Sequence, residues 1–197
     1  MAAPVSSQAS RSAVGMTSRR PGGIQRTTPL RREKGNMVAT ALQTRTRDPR
    51  IVLNTVQERV PHLVADVGVD DLWEREVRLL LRDSVAVRSL AERILGQGIA
   101  YLITAMENPG VDMGVGYTVD IGVHQLILDT PLYFALCDEY NAGKYKHHAP
   151  LIERRRDGTV MRTAEIIRRN GFDVDDELWS VDASDCSPCD NKVPDSH

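Results

Sequence analysis

The sequence predicts an all-α protein: a compact helical domain over residues 48–180, a disordered basic arm over 1–47 and a cysteine-containing tail over 181–197. Three observations carry this. Apolar residues recur at helical spacing between recognisable caps. No run alternates with the period of two that a half-buried strand needs. The composition changes sharply near residue 47.

The 197-residue chain is 41% hydrophobic and 26% charged, within the ordinary range for a globular domain. Aromatics are 5% of the chain, so aliphatic side chains must fill most of the core. Residues 1–47 hold nine Arg or Lys against one Glu, a balance of +8; with −2 for the whole chain, the remainder carries −10. The arm is rich in Ser, Thr, Arg, Gly and Pro and buries too little to offset its chain entropy. Its arginines are not interleaved with aromatics, as single-strand binders require, and the domain beyond is acidic; both weigh against nucleic acid as a partner. Met16 and Met37 are alternative starts to Met1. No run reaches the roughly 20 apolar residues of a membrane span, and no apolar stretch follows the N-terminal arginines as a signal peptide requires. A cytoplasmic location is expected. There, thiols stay reduced and a Cys-x-x-Cys serves a metal or redox chemistry.

The elements follow in order. Asp48 and Pro49 open a helix with Ile51, Val52, Val56 and Val60 at helical spacing, which stops at Pro61. His62, just past that end, reads as a surface or capping residue. Asp70 is expected to cap a second helix with Trp73, Val77, Leu80 and Leu81 on one face. Asp83 or Ser84 is expected to cap a longer one reaching Met106. Gly96 and Gly98 interrupt it at about 1 kcal/mol each, a cost that close packing of a neighbouring helix would offset. The stretch ENPGVDMGVGYT is a loop whose glycines lack the spacing of a phosphate cradle. A short apolar helix covers 119–128. Thr130 and Pro131 open the next, through about Asn141, and Gly143 ends it. Thr159 caps a helix through Asn170, which Gly171 and Phe172 close in a Schellman stop. Asp175 caps a final turn with Leu178 and Trp179.

Chemistry concentrates in two places. Asp120 and His124, four residues apart, share a helical face, and His124 and Cys137 lie on consecutive helices joined by a tight turn. His147 and His148 follow; being adjacent, they diverge, so one of them at most joins His124. Cys186-Ser-Pro-Cys189 has the spacing of a metal knuckle. A redox role would need a strand before it and a helix after it, and the pattern offers neither. The candidate ligands are therefore His124, Cys137, His147, His148, Cys186 and Cys189, for zinc or another divalent transition metal. Each also has an ordinary reading: Cys137 as a small apolar filler, the histidines as hydrogen-bonded core residues, the tail cysteines as exposed thiols.

The block VDIGVHQLILDTPLYFALCDEYNAGKYKHHAP, residues 119–150, resembles the glycine-rich domain-containing protein family, and in particular its small actinobacterial-type members. Asp120, His124, Tyr133, Cys137, His147, His148 and Pro150 match that pattern, and GFDVDDELW with CSPC resembles the C-terminal end of those members. Val123 stands where the family has Trp, and the tail lacks a third cysteine and the histidine after the knuckle; His197 is a poor substitute. The resemblance implies a helical fold and a metal site, and no common reaction.

Three functions follow as expectations. The first is a zinc-binding protein whose metal is structural or supports an interaction with a protein or small molecule. The second is a metal-dependent tailoring enzyme in a peptide or natural-product pathway, with Asp120, Tyr133 or the spare histidine as acid or base. The third is a nucleic-acid-binding regulator acting through the arm.

Overall fold

The computed structural model describes residues 46–65, 68–149 and 157–181, with the backbone alone of 150, 186, 187, 189 and 190. The arm expected over 1–47 lies outside the described residues except for its last two.

Eight helices and four two-residue strands make up the described part: α1 Pro49–Gln57, α2 His62–Ala65, α3 Leu72–Asp83, α4 Arg88–Glu107, β1 Val115–Gly116, α5 Tyr117–Leu128, α6 Thr130–Tyr140, β2 Ala149–Pro150, α7 Thr159–Arg169, α8 Asp176–Val181, β3 Cys186–Ser187 and β4 Cys189–Asp190. The all-α reading holds. The short strands were not legible, because two residues are too few to alternate.

The hub is α4. Every residue from Ile94 to Met106 is buried, so this helix has no solvent face over its C-terminal two thirds. A helix apolar all round must be covered all round, and α1, α3, α5, α6 and α7 pack about it. The closest approach is to α5. A Cβ on Gly98 would lie 2.8 Å from the Gly122 carbonyl carbon, and one on Gly122 would lie 2.6 Å from the Ile94 carbonyl oxygen. Neither position has room for a side chain, so the two backbones touch. This is the compensation expected for Gly98. Gly96 faces Trp73 and Pro49 at ordinary distances.

The caps show where local reading succeeds. Asp48 accepts from the Arg50 amide at 2.8 Å and opens α1. At the end of α7, Gly171 has φ 89° and the Phe172 amide donates to the Ile167 carbonyl at 3.2 Å, the expected Schellman geometry. Asp175 accepts from the Leu178 amide at 3.2 Å and opens α8. Three caps differ. Asp71 rather than Asp70 opens α3, accepting from Glu74 N at 2.8 Å. Asp83 and Ser84 end α3 instead of starting α4, which begins at Arg88 after Val87 with no side-chain cap. Asp129 rather than Thr130 sits at the cap of α6, its carboxylate turned to Arg75.

Two sets of contacts draw the flanks of the described helices onto the hub. Arg47 forms a backbone bridge with Phe172, lays its guanidinium over that ring at 4.4 Å and pairs with Glu107. The domain thus starts before residue 48. On the other side, Trp179 is fully buried and donates to Gln97 Oε1 at 2.7 Å, while Gln97 Nε2 reaches the Asp173 carbonyl at 3.2 Å.

Beyond α8, β3 pairs antiparallel with β1 and β4 with β2. The registers set Cys186 opposite Gly116 and Cys189 opposite Pro150. Among the described residues, no helix is long and apolar enough to cross a membrane.

Candidate metal centre

The backbone contact of Gly98 with Gly122 fixes α5, and α5 carries two of the three groups of the site. Asp120, in its first turn, is favoured there by the unpaired amides of the helix N-terminus. It is buried, its side chain 7% exposed. His124 lies one turn further on the same face, with its side chain 54% exposed.

The third group arrives from a loop. After α6, Ala142 and Gly143 both take positive φ, 51° and 77°, and reverse the chain. Asn141 Nδ2 donates to the Lys144 carbonyl at 2.6 Å, and the Tyr133 hydroxyl donates to that of Lys146. These bonds hold the segment that delivers His148, whose ring is 5% exposed and meets the edge of Tyr101 at 6.4 Å between centroids.

His148 Nε2 lies 2.9 Å from Asp120 Oδ1, and His124 Nδ1 3.6 Å from Asp120 Oδ2. The two imidazoles stand 5.0 Å apart at 82°. One ligand atom from each of Asp120, His124 and His148 falls within 4.8 Å of the others. Around a tetrahedral zinc with bonds of about 2.0–2.1 Å, neighbouring ligand atoms are roughly 3.4 Å apart, so modest side-chain rotations would gather this set. Two imidazoles and one carboxylate are a donor set that zinc, iron and manganese all accept. The Asp120 carboxylate is hydrogen-bonded to His148.

The sequence-derived candidates divide. His124 and His148 come together. His147 is half-buried and outside the group, as the divergence of adjacent residues requires. Cys137 is fully buried on α6 and also outside it, in the position of a core residue. The side chains of Cys186 and Cys189 lie outside the described residues, as does His197. The backbones of the two cysteines are placed: Cys186 pairs with the residue that precedes α5, and Cys189 with a residue two beyond His148. Asp120 was legible as a neighbour of His124 but not as a ligand. The available signal was a carboxylate in an otherwise apolar helix, four residues before a histidine.

No family model, no curated protein and no solved structure matches the chain.

Proposed function

We propose that this is a small helical zinc-binding protein whose metal is held by Asp120, His124 and His148 and fastens the C-terminal strands to the domain. The observation that carries the reading is the convergence of three ligand atoms within 4.8 Å from two separate segments. A buried carboxylate facing two imidazoles is the arrangement that a divalent cation neutralises. The strand registers support adding thiolates from Cys186 and Cys189, since each cysteine pairs beside one of the two segments that supply the triad. Thiolates would also favour zinc over iron or manganese. The likeness of residues 119–150 to glycine-rich domain-containing proteins agrees with this reading.

One observation favours the second reading, a metal-dependent enzyme. His124 is half-exposed, so one side of the centre faces solvent, where a catalytic metal keeps its water.

Elemental analysis of protein purified without chelators, in the wild type and in Cys186→Ser, tests and separates the two. The structural reading expects about one zinc per chain and its loss in the variant. Full retention in Cys186→Ser would favour three protein ligands and an open position. Well under one metal per chain in the wild type, with no stabilisation by added zinc, would sink both.

A further inference from the structure

Away from the metal centre, two carboxylates are buried at the junction of α3 with the α5–α6 corner. Glu76, on α3, is fully buried, and the side chain of Asp129, at the corner, is 6% exposed. Among the described residues, one cation serves both: Arg75 Nη1 lies 2.5 Å from Glu76 Oε1 and also contacts Asp129. Gln125 Nε2 donates to the other Glu76 oxygen at 2.9 Å.

Among the described residues, the other charges of the packed elements pair elsewhere, face the metal centre or, like Glu58, His62 and Asp138, are exposed. On α3, Glu74 takes Arg78 and Arg88, and Arg82 takes Asp83. On α4, Arg88 also meets Glu92, and Arg93 meets Asp175 and Glu177. On α1, Arg50 lies over the Trp73 ring, while beyond its end Arg59 pairs with Glu139 of α6. On α2, His62 is exposed. On α5, Asp120 and His124 face the metal centre. Two ionised carboxylates with one guanidinium would leave a net negative charge in the interior, which a proton removes.

We propose that Glu76 holds a proton beside Arg75 and Asp129, and that this protonated clasp fastens α3 to the α5–α6 corner and loosens as the proton leaves. Burial, reinforced by the Asp129 charge, raises the Glu76 carboxyl to about 7, against the opposing effect of Gln125 and Arg75. The release therefore falls near neutral pH. The corner is a sensitive place for it. The Asp129 carbonyl accepts from the Tyr133 amide at 2.8 Å in the first turn of α6, and Tyr133 in turn holds the loop that delivers His148. The clasp itself stands on the fold and does not depend on the metal reading.

The test uses the full chain. Carbon-detected NMR titration should place the Glu76 carboxyl midpoint near pH 7; a midpoint near 4.5 would overturn the proposal. Hydrogen exchange of the Tyr133 amide, corrected for intrinsic pH dependence, should lose about tenfold of its protection from pH 6 to 8, the effect of one proton leaving over that span. Glu76→Gln, which mimics the protonated acid, should hold that loss below about twofold. An equal loss in wild type and Glu76→Gln would contradict the clasp. Should Glu76→Gln fail to fold, Asp129→Asn takes its place, and the wild-type titration decides in either case.

Discussion

At the scale of single residues, Asp120 and Glu76 are both buried carboxylates, and their partners divide their roles. Asp120 faces two imidazoles, one of them at the surface, and invites a cation from outside. Glu76 faces Arg75 and Asp129, so its cation is already built in. Its pH dependence follows from the direction of its shift. The folded carboxyl titrates at about 7 against 4.5 for the ordinary group. The stabilisation is therefore complete below about pH 4.5 and is lost as pH rises through about 7, worth up to roughly 3 kcal/mol. Chemical denaturation at pH 5 and pH 8 should show that loss in the wild type, and Glu76→Gln should reduce it to the part owed to other groups. A second prediction concerns Gln97. Gln97→Ala leaves Trp179 Nε1 and the Asp173 carbonyl without their partner, at about 1–3 kcal/mol, measurable as a lower denaturation midpoint with an unchanged slope.

At the scale of elements, the placement of α5 on α4 decides whether the site exists. Gly122→Ala drives a Cβ into the Ile94 carbonyl, and the helices must separate, costing about 1–3 kcal/mol. Gly96→Ala is the control: its Cβ meets Trp73 Cη2 at 3.7 Å, ordinary contact, and the gain in helix propensity is about 0.8–1 kcal/mol. Thermal melts should move in opposite directions, with metal affinity falling only for Gly122→Ala. The helices were legible because caps and apolar spacing are local properties of the chain. Asp48, Asp175 and the Gly171 stop were found this way. The misread caps have different causes. Asp83 and Ser84 carry capping chemistry, but the chain turns at Ser84 and α4 starts four residues later. Asp129 was overlooked beside Thr130 because its partner, Arg75, is 54 residues away. His148 poses the same difficulty: its neighbour in sequence, His147, is chemically identical, and only the loop bonded to Tyr133 separates them. The pairing of β3 and β4 lies wholly in long-range contacts.

At the scale of the whole molecule, the metal reading makes the C-terminal strands dependent on the ion. Metal loss should open residues 182–197 to protease before helical circular dichroism changes, because the hub α4 is closed by other helices. Simultaneous loss of both signals would show instead that the ion holds the core. At the other end, the contacts of Arg47 with Phe172, Gly171 and Glu107 place the domain boundary before that residue. A chain beginning at Met37 should keep the full-length thermal midpoint, whereas Arg47→Ala should lower stability by about 1 kcal/mol. The central claim is that one ion is held by His124 and His148 and not by His147. Its most direct test is the long-range ¹H–¹⁵N NMR spectrum of the histidine rings during zinc titration of the full-length protein. The account predicts that ring nitrogens of His124 and His148 alone shift, saturating at one equivalent, while those of His62, His147 and His197 stay in place. A shift of His147 in place of His148, or no ring shift at one equivalent, would contradict it.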